Sequence, residues 1–139
     1  MRTEFVVEKE AELHEIAAAI LSALGSPGPV ALYGEMGAGK TTLISALCKQ
    51  LGSNDRVSSP TFSLHNVYLD AGGREIYHMD LYRLESENEL LQAGIAESLE
   101  HDFWVFIEWP QLAEGFLEPD FKTLQIEVLP DDSRKISIL

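Results

Sequence analysis

Apolar residues recur every three or four positions across AELHEIAAAILSAL (11–24), where Leu13, Ile16, Ala17, Ile20, Leu21 and Leu24 form one stripe. That period predicts a helix with one buried face. GSPGP (25–29) ends it, and VALY (30–33) follows as a short continuous apolar run. A run of that kind, bounded by turn residues, predicts a strand buried on both faces. TTLISALCKQL (41–51) returns to helical spacing, and Gly52 stands where a helix C-terminus favours glycine. TEFVV (3–7) reads as a strand. SLHNVYL (63–69) and EIYHMDLY (75–82) flank DAGGR, whose Gly72-Gly73 pair predicts a hairpin. Ser86 and Glu89 stand at capping-box spacing, so a short helix opens SENELLQAGIAESL (86–99). FWVFIE (103–108) is a second buried strand. TLQIEVL (123–129) alternates and is expected to pair with RKISIL (134–139) across PDDS. Strands alternating with helices, plus hairpins, predict an α/β fold: a mixed, mainly parallel sheet flanked by helices, with added antiparallel hairpin strands.

Length and charge narrow the function classes. The 139 residues suit one domain, 1–139, with one sizeable core. A net charge of -13 disfavours tight direct binding to a nucleic-acid backbone, but not a compact anion site built from backbone N–H groups. A partner with a basic face would be attracted. The single cysteine, Cys48, allows no internal disulfide and reads as a small core residue. The N-terminus lacks a secretory pattern and no apolar run reaches membrane-spanning length, so a soluble cytoplasmic protein is expected.

The chemistry concentrates in GEMGAGKT (34–41), which fits G-x-x-x-x-G-K-[ST] in full between a buried strand and a helix. This predicts a P-loop NTPase fold. Gly34, Glu35, Met36, Gly37, Ala38, Gly39, Lys40, Thr41 and Thr42 are the expected phosphate-binding segment. The glycines let N–H groups turn inward around phosphates. The helix N-terminus adds unpaired N–H groups and a positive dipole end. Lys40 is a point charge for the outer phosphates, and Thr41 offers a hydroxyl to Mg²⁺. Glu35 is expected to point to solvent.

A second carboxylate is expected at the end of a neighbouring strand, acting on Mg²⁺ directly or through water. Glu108 and Asp80 both qualify. Trp109 admits three readings: core, adenine platform or partner contact, with core the first. Thr61 in SSPTF occupies the place of a phosphate-sensing switch residue. The histidines show no metal-ligand spacing, and only His78 falls near these candidates. No N-K-x-D guanine reader is present. Arg2, Arg56, Arg74, Arg83 and Arg134 are scattered, without the clamp or lid of a small-molecule kinase. A small phosphotransferase and a nucleotide-gated binding module that barely hydrolyses remain as alternatives to an ATPase.

YGEMGAGKTTL, SSPTFSL, YHMDLYRL, ELLQAGIAE and IEWP occur in an order and spacing that resembles the TsaE (YjeE) family. The resemblance spans roughly residues 30–110. It implies a Mg²⁺-dependent ATPase that serves N6-threonylcarbamoyladenosine formation at position 37 of tRNA. Gly34 to Thr42 would wrap the ATP phosphates, and Thr41 and Glu108 would serve Mg²⁺. Thr61 would belong to a switch loop, while Asp80 and Trp109 fall on motif positions important for activity. The implied partner is a TsaD–TsaB complex, through which alone tRNA is met; no DNA or membrane partner is implied.

Overall fold

The computed structural model describes residues 3–60, 65–99, 102–119 and 121–139. Among them β1 (Thr3–Val7), β2 (Pro29–Tyr33), β3 (His65–Leu69), β4 (Glu75–Asp80), β5 (Val105–Glu108), β6 (Lys122–Val128) and β7 (Arg134–Ile138) form one sheet. The strand order is β1-β7-β6-β2-β5-β4-β3. The four central strands, β6, β2, β5 and β4, run parallel. The outer pairings are antiparallel, as the β3–β4 and β6–β7 hairpins require. The continuous apolar runs of β2 and β5 put these strands at the centre, where both faces are covered. No helix among the described residues is long and apolar enough to cross a membrane.

Helices α1 (Glu12–Leu24) and α2 (Lys40–Gln50) cover one face of the sheet. The stripe on α1 buries Leu13, Ala17, Ile20 and Leu24, with Ile16 and Leu21 packed at its margin. These side chains meet Val30 and Leu32 of β2, Phe106 of β5 and Leu124 and Ile126 of β6. The end of α2 is a Schellman closure: Ser53 N–H donates to Cys48 O and Gly52 N–H to Lys49 O, with Gly52 at φ 90°. Cys48 is fully buried, which pushes its thiol up to about 12, so it behaves as core rather than nucleophile.

The opposite face carries α3 (Glu87–Gln92), α4 (Ile95–Ser98) and a 3-10 segment, Pro110–Phe116. Met79, Val105 and Ile107 from the strands meet Leu90, Leu99 and Ala113 there. Ser86 Oγ accepts from Glu89 N–H at 3.3 Å, as the capping spacing predicts. The Glu89 carboxylate, however, accepts from Glu85 N–H rather than from the cap itself. The pattern that opens at Ser86 splits into two helices at Gly94, which sits at φ 73°.

Two features exceed the sequence reading. β1 pairs with the last strand, β7, in a register that sets Thr3 opposite Ile138. The stretch after Glu108 is a 3-10 turn system rather than a plain connection.

Candidate functional site

The parallel strands β2, β4 and β5 end on the same side, and the loop from β2 to α2 crosses that edge. Gly34 begins it with no room for a side chain: a Cβ there would lie 2.6 Å from Ile126 Cγ2 and 2.9 Å from Ile126 O. Gly37 and Gly39 take φ values of 80° and 102°, a region L side chains rarely enter. Ala38 is buried, while Glu35 and Met36 are exposed, so the Glu35 carboxylate is turned to solvent as expected. Arg134 Nε donates to Ala38 O at 3.1 Å and ties the loop to β7.

Strand alternation places Asp80 and Glu108 together. They are opposed in register at the ends of β4 and β5, so both project from the face that α2 covers. A cavity of about 690 Å³ opens there. Met36, Gly37, Gly39, Lys40, Thr41 and Thr42 line it from the loop and helix. Asp80, Glu108 and Trp109 line it from the strand ends. Gly34, Glu35 and Ala38 lie outside its lining and act through the loop's shape. Thr61 lies outside the described residues.

Inside the cavity the polar groups are already engaged. Lys40 is 5% exposed, and its ammonium donates to Gly34 O and, at 3.3 Å, to Glu35 O. Burial lowers the Lys40 pKa, opposed by the charges of Glu108 and Asp80. Thr41 Oγ1 donates toward Glu108 at 2.9 and 3.1 Å to its two oxygens, and lies 3.0 Å from Ser59 Oγ. The Asp80 carboxyl is held above the usual carboxylate range mainly by burial, with the like charge of Glu108 adding. Tyr82 N–H, bonded to Asp80 Oδ1 at 3.0 Å, works against that rise, as do His78 and Lys40.

Trp109 is not core. It is half-buried, at φ 54°, a backbone region costly for a bulky residue and the more so before Pro110. That turn swings the indole over Lys40, whose Nζ lies 3.8 Å from the ring centroid, and against Tyr82 at 4.9 Å. Strain of this kind in a bulky residue is characteristic of functional sites.

Ser59, Tyr82 and Arg83 also line the cavity; they belong to SSPTF and YHMDLYRL, to which the sequence gives a place at the site but no individual role. Arg83 had been one of five scattered arginines; its position three residues beyond the Asp80 strand end was the available signal. Arg134 gave no signal, because its contact with the loop spans 96 positions of chain. Among the described residues no cluster of histidine, cysteine and carboxylate side chains could hold a metal by itself.

The fold and this edge define a class: a mixed α/β protein whose strand–glycine loop–helix unit faces two strand-end carboxylates. The family model described as "Threonylcarbamoyl adenosine biosynthesis protein TsaE" matches residues 7–136, and the chain belongs to that family. It is similar to the tRNA threonylcarbamoyladenosine biosynthesis protein TsaE of Rickettsia felis, 33% identical over 135 residues covering 96% of this chain and 78% of the relative. The protein of the same name from Bacillus subtilis is 37% identical over 121 residues, 86% of this chain and 75% of that one. Among solved structures, the crystal structure of Bacillus subtilis YdiB superposes with a TM-score of 0.74 at 26% identity, covering 99% of this chain and 84% of that one.

Proposed function

We propose that this chain is a single-domain, magnesium-dependent ATPase of tRNA N6-threonylcarbamoyladenosine formation. It works in the cytoplasm with a TsaD–TsaB-like complex and meets tRNA only through that complex. The observation that carries this reading is the convergence of Lys40, Thr41, Asp80 and Glu108 on one open cavity under the glycine loop. The names of the relatives supply the pathway. The net charge of -13 argues that tRNA is reached through a partner rather than bound directly.

The residues divide the work. Gly37, Gly39 and the first turn of α2 present backbone N–H groups to phosphate oxygens. Lys40 rests on two carbonyls of its own loop, so a triphosphate needs only to compete with these for the ammonium. Thr41 and Glu108 are oxygen donors in direct contact, a pair suited to a hard ion that keeps several waters. Magnesium, when bound there, neutralises phosphate charge and polarises the phosphoryl group. Glu108 is committed to Thr41 and His78, which leaves Asp80 the carboxylate better placed to orient the attacking water. Trp109 caps Lys40 and shields it from solvent.

Calorimetry with Lys40→Ala tests the nucleotide reading. Loss of a charge-assisted contact lowers ATP affinity by about 1.5–3 kcal/mol; unchanged affinity rejects it. Phosphate release, measured with and without the partner complex, tests the rest. Slow turnover alone that rises with the complex supports a coupled ATPase. Transfer of the phosphoryl group to an acceptor would instead indicate a kinase.

A further inference from the structure

Glu108 is joined to the segment Ser58–Pro60 by two separate routes. The first is the short one already described, through Thr41 to the Ser59 hydroxyl. The second runs through the protein interior. Glu108 Oε2 lies 2.6 Å from His78 Nε2, and a carboxylate only accepts, so Nε2 donates. His78 Nδ1 lies 3.0 Å from the Tyr68 hydroxyl. That hydroxyl accepts from Ser58 N–H at 3.3 Å and faces Ser58 O at 3.1 Å. Asn66 Nδ2 braces the same point, reaching Ser58 O at 3.0 Å and the Tyr68 hydroxyl at 3.3 Å.

His78 is 0% exposed, Glu108 3% and Tyr68 4%. A buried polar side chain on a strand needs partners, and hydrophobic burial does not explain His78. β4 alternates Ile76, His78 and Asp80 on the face under α2, so an aliphatic residue at 78 would simply extend the core. Instead two buried rings span the distance from a strand-end carboxylate to the backbone of Ser58. The neighbouring β3 supplies Tyr68 at a position diagonal to His78, which pairs with Asn66.

We propose that His78 and Tyr68 are positioning residues that hold Glu108 and transmit its state to the Ser58–Pro60 segment at the mouth of the cavity. The two routes close a ring, and they differ in what a ligand does to them. Thr41 is a group that magnesium would claim, so the outer route is open to disruption when the site fills. The inner route contains no group exposed to that competition beyond Glu108 itself. It therefore persists as the link by which a change at the carboxylate reaches Ser58 and its neighbours. Its use in turnover rests on the ATPase reading; its existence does not.

The experiment follows the Ser58 backbone amide by NMR in the ligand-free protein. Glu108→Gln neutralises the carboxylate and is expected to displace the Ser58 resonance. The displacement should survive in a Ser59→Ala background, where the outer route is cut. It should be lost in a Tyr68→Phe background, which keeps the ring and removes only the hydroxyl. Loss with Ser59→Ala and survival with Tyr68→Phe would overturn the proposal, as would no displacement at all. Asn66→Ala loosens Ser58 without touching His78, and a displacement retained there separates transmission from mere bracing; its loss there would reduce Tyr68 to a brace and overturn the link. In the loaded protein, Tyr68→Phe is expected to lower kcat about tenfold with KM changed less than about twofold. An unchanged kcat in a variant that hydrolyses ATP would remove the functional half of the proposal. Absence of ATP binding by the wild type would reject the ATPase reading and leave the amide result standing.

Discussion

On one side of β2, strands β6 and β7 reach the glycine loop with an aliphatic side chain and a guanidinium. Ile126 fills the space a Gly34 side chain would need, and Arg134 holds Ala38 O. On the other side, beyond β5, β4 brings Asp80 to the cavity, and His78 of β4 and Tyr68 of β3 lie buried behind it, all polar. One flank shapes the loop by contact and excluded volume. The other governs charge through hydrogen bonds. Contact restraints tolerate no added volume but are indifferent to pH. Hydrogen-bonded carboxylates tolerate shape-preserving substitution but are sensitive to charge. The same site is therefore vulnerable in two different ways.

The contact flank should give the largest single effect. Gly34→Ala forces a methyl group against the backbone oxygen of Ile126, which cannot rotate away. Destabilisation of about 3 kcal/mol is expected, the upper end of ordinary overpacking. Denaturant unfolding measures it, and a variant of wild-type stability would show that β6 yields freely. Next comes the charge flank. Glu108→Gln keeps the volume, so the protein should fold and bind nucleotide, while hydrolysis falls about 10- to 100-fold, or ~1.4–2.7 kcal/mol in barrier. Wild-type turnover would make Glu108 a bystander.

Two smaller changes sharpen the contrast. Arg134→Ala deletes one hydrogen bond to the loop from the contact flank. A loss of about 1 kcal/mol in stability is expected, with weaker nucleotide binding and no change in the pH dependence of either. Asp80→Asn should have the smallest effect on stability, and of opposite sign. Burial raises the Asp80 pKa above its ordinary 3.8, so in the window above 3.8 the folded state holds a proton that the unfolded chain has released. Stability then falls as pH rises through that window, and the penalty is complete above the raised value. Asn removes it, so the variant should melt slightly higher at pH 7, with the gain vanishing below the ordinary carboxyl range. Equal melting temperatures at neutral pH would mean that Asp80 is solvated well enough to carry its charge without cost.

What could be read from the sequence was local. The stripe on α1, the loop spacing from Gly34 to Thr41 and the strand-end places of Asp80 and Glu108 each lie within a short window with a fixed period. Gly52 closes α2 by a backbone rule that needs six residues, Cys48 to Ser53. What escaped depends on distant chain meeting: Thr3 against Ile138, Ile126 over Gly34, Arg134 on Ala38. No periodicity records such pairings. Trp109 stayed open between core, adenine platform and partner contact because an indole after an apolar run satisfies the burial pattern equally well. Only its positive φ, held despite the following Pro110, turns the indole over Lys40 in the cavity. Ser59, Tyr82 and Arg83 lie in segments the sequence assigns to the site, but their facing could not be read, since loop residues carry no period and their facing is decided by what they pack on.

The chain's two tryptophans differ in burial and in distance from the cavity. Trp104 is 7% exposed, stacked on Phe106 at 5.8 Å and 7° within the core, with the Lys122 ammonium 5.6 Å from its ring centroid, and remote from the cavity. Trp109 lies over the Lys40 ammonium and beside Tyr82. Their emission should therefore separate into a blue component that reports only on folding and a redder one that reports on the cavity. Whatever draws the ammonium off the indole face alters the second without the first. The protein thus carries its own optical probe of site occupancy together with an internal reference, and equilibrium titrations and stopped-flow traces can be read on the unlabelled chain.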